Sequence, residues 1–135
     1  MYLLDTMVIS EGFRPRPVQS VVDWLERTDS ERLFVSVVSF GEIEAGIEKQ
    51  RGRDVEVFRR LEDWLDETQV DYAKRTLPVT TAVAMRWGRL VTNLQRRDMD
   101  LLIAATALEH DLVVATRNIR HFEPTGAKLF NPYEA

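Results

Sequence analysis

The sequence contains no cysteine, which removes disulfides, thiolate metal ligands and thiol nucleophiles from consideration. It has no apolar run of membrane-spanning length. The longest, Leu101 to Leu108, is interrupted by Thr106 and falls far short of the roughly 20 residues a spanning helix needs. It has no apolar leader, because Asp5 breaks the opening stretch Met1-Tyr2-Leu3-Leu4 before a signal-peptide core can form. Internal repeats, low-complexity tracts and Gly/Ser linkers are absent too. Positive charge is not in excess: 18 Lys and Arg stand against 22 Asp and Glu, a net charge of −4. That excludes a protein that coats nucleic acid through bulk electrostatics, though not an enzyme with an acidic centre among local basic groups. These absences predict a soluble, cytoplasmic chain held together by its apolar core.

What is present fits that expectation. The chain has 135 residues, of which 44% are hydrophobic and 30% charged, enough for one domain over residues 1–135 with a core that needs no staple. Arg14-Pro15-Arg16-Pro17 is the one punctuated stretch near the start, where proline stops regular structure. Short apolar runs predict strands at Tyr2–Leu4, Leu33–Val38, Leu112–Ala115 and Lys128–Phe130. Between them, Val18/Val21/Val22/Leu25, then Phe58/Leu61/Leu65 with Trp64, then Val83/Trp87/Leu90/Val91/Leu94 follow the spacing of one buried helical face. Met99–Glu109 is apolar nearly all round and predicts a helix buried on most sides. Strands alternating with helices imply βαβ units, hence an α/β fold with a mainly parallel central sheet flanked by helices.

In such a sheet, strand C-terminal ends and helix N-terminal turns share one edge, where ligands are placed. Asp5 ends the first strand. Glu42 and Asp100 fall in the first turns of two helices, and Asn118 follows the strand that ends at Ala115. Carboxylates crowded at one edge repel one another unless a cation is present, and oxygen ligands of this kind suit Mg²⁺ or Mn²⁺ rather than zinc. Each residue has a plainer reading. Ser39-Phe40-Gly41-Glu42 has the spacing of a capping box, Asp98 has the place of a helix cap ahead of Asp100, and Asp5 suits an Asx-turn. Glu42 also faces the side of its helix that carries Ala45 and Gly46.

The motifs resemble those of a known family. Leu3-Leu4-Asp5-Thr6-Met7-Val8-Ile9-Ser10 resembles the opening of PIN-domain toxins of the VapC type, usually LLDTNVIS. Gly41-Glu42-Ile43 with Gly46-Ile47-Glu48 is similar to their second acidic motif, and Asp100 with Leu102-Ile103-Ala104-Ala105-Thr106-Ala107 to the third. Ala115-Thr116-Arg117-Asn118 with Phe122 is similar to the fourth, and Phe130-Asn131-Pro132 to the usual ending. The resemblance runs in order over nearly the whole chain. It implies a PIN-like three-layer sandwich and a metal-dependent endoribonuclease, the toxin of a bacterial toxin–antitoxin pair. It further implies a homodimer, an RNA substrate and a small antitoxin that threads across the acidic groove.

Carried over by position, the resemblance implies that Asp5, Asp100 and Glu42 hold Mg²⁺ or Mn²⁺, with Asn118 completing the catalytic set. Thr6 and Thr116 become supporting hydroxyls, and Arg117 and Arg120 candidates for phosphate or antitoxin contact. Two positions depart from the pattern. Met7 stands where the family usually has Asn, and Asn118 where many members have Asp. These departures motivate an alternative, a catalytically degenerate PIN module that only binds an antitoxin partner or nucleic acid.

Overall fold

Five short strands form the sheet, four of them from apolar runs: β1 (Tyr2–Leu4), β2 (Leu33–Ser36), β3 (Thr76–Leu77), β4 (Val113–Ala115) and β5 (Lys128–Phe130). The computed structural model describes residues 1–135, and every strand pairing in it is parallel. The order across the sheet is β3-β2-β1-β4-β5. Around the sheet lie α1 (Thr6–Ser10), α2 (Gln19–Arg27), α3 (Val37–Gln50), α4 (Val55–Asp71), α5 (Thr81–Leu94), α6 (Asp100–His110) and α7 (Ile119–Phe122).

The period-two geometry of a strand sends alternate side chains to opposite faces, and the core divides accordingly. Leu4, Val35 and Ala115 meet Val8, Ile9, Val21, Trp24, Ile43, Ile47, Phe58 and Leu65 on one face. Leu3 and Val114 meet Val38, Ile103, Ala104, Ala107 and Phe122 on the other. The result is the expected helix–sheet–helix sandwich. Aromatic packing fastens the first layer: Trp24 of α2 stands edge-on to Tyr2 of β1, with centroids 4.9 Å apart, and leans on Phe130 of β5 at 5.2 Å. A buried aromatic pair of this kind is worth about 0.5–1.5 kcal/mol beyond its area. The predicted stripes of α2, α4 and α5 are present, and α6 buries Leu101, Ile103, Ala104, Ala105, Thr106 and Ala107. No helix is long and apolar enough to cross a membrane.

The structure departs from the sequence reading at three places that bear on function. The strand predicted to run to Val38 stops at Ser36, because the Ser36 hydroxyl accepts from the Val38 amide at 3.0 Å and caps α3. Helix formation therefore begins at Val37, Ser39 is already inside the helix, and the Ser39–Glu42 spacing is not a capping box. Glu42 sits in the second turn rather than the first. Asp98 does not cap α6; the cap position falls to Met99, without a side-chain bond. The strand β3 carries no apolar run of its own, being a two-residue edge strand paired only to β2.

The topology decides where a ligand goes. From β1 the chain steps outward to β2 and β3, then returns to the far side of β1 for β4 and β5. Connections leaving β1 and β4 thus diverge, which opens a crevice at the carboxyl ends of these two neighbours. Asp5 and Thr116 are the residues that follow them.

Candidate active site

Asp5 extends the β1–β4 pairing by one rung, its amide donating to the Ala115 carbonyl at 2.9 Å. The chain then turns into α1 with Asp5 as cap. One carboxylate oxygen accepts from the Thr6 amide at 2.7 Å, and the other from the Thr116 hydroxyl at 2.8 Å. The residue is 3% exposed. Burial raises its pKa above the usual carboxylate value, partly offset by the bonds from Thr116 and Thr6, and the Glu42 carboxylate raises it further. Asp5 is thus a buried acid held in one orientation by groups from both strands of the crevice.

Glu42 reaches the same edge from α3. Its Oε1 accepts from the Thr6 hydroxyl at 2.7 Å, and that hydroxyl is also hydrogen-bonded to the buried Ser39 at 2.9 Å. Thr6 therefore ties the second carboxylate to the backbone turn that orients the first. With Ser36 fixing where α3 begins, Ser39 and Glu42 lie three residues apart on one helical face, and both face α1. The Ala45/Gly46 side beyond them is open: a Cβ added at Gly46 would meet nothing within 4 Å.

Asp100 opens α6, and its surroundings are the most strained electrostatically. Burial, followed by the Asp5, Glu42 and Asp98 carboxylates, pushes its pKa up to about 6, against a lowering by His121. Asp5 and Glu42 both act on it, so three carboxylates from distant parts of the chain share this edge. His121 of α7 places its Nε2 3.2 Å from Asp100 Oδ2 and 3.2 Å from Asp98 Oδ1. Arg96 grips Asp98 with two nitrogens, at 2.7 and 3.0 Å. That fork holds the Asp98 pKa down at about 2 and takes it away from the helix cap.

The remaining predicted residues line the approach. The Thr116 hydroxyl, besides holding Asp5, accepts from the Asn118 amide at 2.9 Å. The Asn118 side-chain amide points at Met7 Sδ, 3.9 Å away, so the two positions that depart from the family pattern face each other. Arg117, Asn118, Arg120 and His121 line an open basin. Arg117 lies over the Tyr133 ring at 4.5 Å, and burial, then Glu11, pushes the Tyr133 hydroxyl up to about 12. On the other side of Glu42 a groove of about 290 Å³ begins at Thr6 and runs past Ser10, Phe13, Ile43, Gly46 and Ile47 to Trp64.

Sequence reasoning missed His121 and the role of Ser39, and left Arg96 as one of several candidate basic groups. The first had a signal: it lies three residues after Asn118, one helical turn along α7. Ser39 was assigned to a cap, and Arg96 was one arginine among many. The donor set suits a divalent cation. Carboxylates crowded enough to hold one of their number near pKa 6 are relieved by positive charge, and no basic side chain contacts the carboxylates of Asp5 or Glu42.

The family model of the PIN domain matches residues 2–127. The toxin FitB of Neisseria gonorrhoeae is 32% identical, the alignment covering 98% of this chain and 99% of FitB. The VapC ribonuclease Y4jK of Sinorhizobium fredii is 31% identical over 99% of each. Among solved structures, FitAcB from Neisseria gonorrhoeae superposes with a TM-score of 0.88 at 31% identity, covering 100% of both chains.

Proposed function

The chain belongs to the PIN domain family, and from that premise we propose that it is a divalent-metal-dependent endoribonuclease, the toxin of a toxin–antitoxin pair. The observation that carries the proposal is the meeting of Asp5, Glu42 and Asp100 at the β1/β4 crevice, close enough that Asp5 and Glu42 both raise the Asp100 carboxyl. Asp5, Asp100 and Glu42 would hold the cation. When bound, Mg²⁺ or Mn²⁺ supplies Lewis-acid charge for the scissile phosphate and for the attacking water.

The chain's own residues do the rest. Thr116 and the Thr6 amide keep both Asp5 oxygens aimed into the crevice. The Thr6 hydroxyl holds Glu42 in register with Asp5, so the carboxylates stand in place before substrate arrives, which is where much of the rate advantage of a preorganised site originates. Arg117 and Arg120, on the basin beside Asn118, would take backbone phosphates and position RNA without reading its sequence. The Asn118 amide would orient a water at the rim of the carboxylates.

A relative at 31% identity carries the name ribonuclease and one at 32% the name toxin. An enzyme that destroys RNA in its own host needs a second chain to silence it. The groove from Thr6 and Glu42 to Trp64, half apolar and ending at the carboxylates, suits an antitoxin segment that places a basic side chain among the acids.

The test is RNA cleavage by the purified, partner-free chain with Mg²⁺ or Mn²⁺ against a chelator. Cleavage that depends on the metal and is lost in Asp5→Asn supports the enzyme. Absence of cleavage by a folded, metal-loaded chain would identify it as the degenerate binding module that Met7 and Asn118 suggest.

A further inference from the structure

The cluster formed by Asp98, Asp100 and His121 lies beside the carboxylates already described and shares Asp100 with them. We propose that these three side chains form a mixed oxygen–nitrogen cation site, which selects a transition ion such as Mn²⁺ or Zn²⁺ over Mg²⁺. The proposal rests on the reading that this edge binds a divalent cation, and deepens it by naming a nitrogen ligand.

Distance is the first argument. One donor atom from each residue lies within 4.8 Å of the other two, and His121 Nε2 is 3.2 Å from both Asp98 Oδ1 and Asp100 Oδ2. An ion held at about 2.0–2.2 Å from nitrogen and oxygen ligands keeps neighbouring donors roughly 3 Å apart. The two contacts of Nε2 already match that spacing.

Hydrogen-bond logic is the second argument. Arg96 Nη2 lies 2.8 Å from His121 Nε2. A guanidinium has donors only, so Nε2 accepts from Arg96 in the tautomer that carries the ring proton on Nδ1, the form a metal-bound imidazole takes. In that tautomer the Nε2 lone pair faces the two carboxylate oxygens beside it. In that form three lone-pair atoms converge beside the Arg96 guanidinium, whose Nη2 is also 3.0 Å from Asp98 Oδ1. Arg96 occupies the side of the cluster where a cation is wanted, yet it makes no hydrogen bond to Asp100.

Placement is the third. Asp98 and Asp100 flank the start of α6, while Phe122, the neighbour of His121, is fully buried in the core. Both arms thus spring from anchored backbone. Arg96 lies in the segment between α5 and α6, and an entering ion takes the place of its fork on Asp98 and His121. The chemistry then sets the preference. Imidazole is a good ligand for zinc, iron and nickel and is tolerated by manganese, whereas Mg²⁺ keeps oxygen ligands and its own waters.

The experiment uses the full chain, stripped of metal by chelator and titrated with Mn²⁺ alone. Pulsed electron paramagnetic resonance should show a directly coordinated nitrogen, and its frequency should change on ¹⁵N-histidine labelling. The chain has two histidines; the signal should survive His110→Asn at the exposed end of α6 and vanish in His121→Asn. Calorimetric titration should show the Mn²⁺ over Mg²⁺ affinity ratio falling by about tenfold or more in His121→Asp. Should a His121 variant fail to fold by circular dichroism, the labelled wild type and His110→Asn still decide the matter. If Mn²⁺ binds, is lost in Asp100→Asn, and shows no nitrogen, the nitrogen site is overturned while the metal-dependent nuclease stands. If no Mn²⁺ binds at all, both fall.

Discussion

The crowding at the β1/β4 crevice has a consequence for stability that can be worked through. In Asp100→Asn the shape is kept and one charge is removed from among Asp5, Glu42 and Asp98. The Asp100 carboxyl is raised from 3.8 to about 6, so at neutral pH the folded protein holds it ionised against burial and like charges. At full strength that displacement corresponds to roughly 3 kcal/mol; solvent at this partly exposed edge screens it to about 1–2 kcal/mol. The sign follows from proton counting. Between pH 3.8 and about 6 the folded state binds more protons at Asp100 than the unfolded state does, so its stability falls as pH rises through that window, and the full cost is present above it. Thermal unfolding in chelator at about pH 7.5 should therefore find Asp100→Asn more stable, its midpoint higher by roughly 5 °C. Near pH 4 the two proteins should coincide. Saturating Mn²⁺ should reverse the order, because an ion that binds only the folded wild type stabilises it by mass action. An Asp100→Asn protein no more stable than wild type at neutral pH in chelator would refute the crowding on which the site is argued.

The same titration makes metal affinity pH-dependent: Mn²⁺ binding by calorimetry should weaken as pH falls through about 6, since protons and the ion compete for one carboxylate. Thr6→Val removes the hydroxyl that joins Glu42 to Ser39. It should cost about 1–2 kcal/mol in urea unfolding, and RNA cleavage should drop because Glu42 loses its tether. Ser36→Ala deletes the cap of α3 and should cost about 1 kcal/mol; a loss near zero would mean that the α3 register is set by packing alone.

Most of the fold was legible because its signals are local. The stripe Phe58/Leu61/Leu65 and the all-round apolar pattern of α6 needed only periodicity, and the strand/helix alternation left little choice of architecture. Thr76–Leu77 was not legible, since a two-residue edge strand takes its pairing from Val35 and Ser36 rather than from its own composition. The end of β2 misled for a related reason. Val37 and Val38 favour a strand intrinsically, but one hydroxyl at Ser36 starts the helix two residues earlier than the apolar run suggests. Asp5 and Asp100 could be placed at one edge because topology sends strand ends and helix starts there, whereas Glu42 reaches that edge from the second turn of α3. His121 and the pairing of Arg96 with Asp98 were not legible, because they depend on a loop path and a side-chain fork that no spacing rule encodes.

The two halves of the crevice differ in how firmly they are built. Asp5 is buried between β1 and β4, and both of its oxygens are taken by groups that cannot move without breaking the sheet edge. Glu42 is tied to the same turn through Thr6. On the opposite side Asp98, Asp100 and His121 are partly exposed, and the fork of Arg96 is the main restraint on Asp98. A cation entering this edge therefore meets a rigid wall at Asp5 and an adjustable one at Asp100. The rearrangement on loading should fall on the segment from Arg96 to Asp98, while β1, α1, Thr116 and the core-anchored α7 stay in place. Amide exchange should report that asymmetry directly, with protection changing from Arg96 into the start of α6 on adding Mn²⁺ and remaining constant at Asp5 and Thr6.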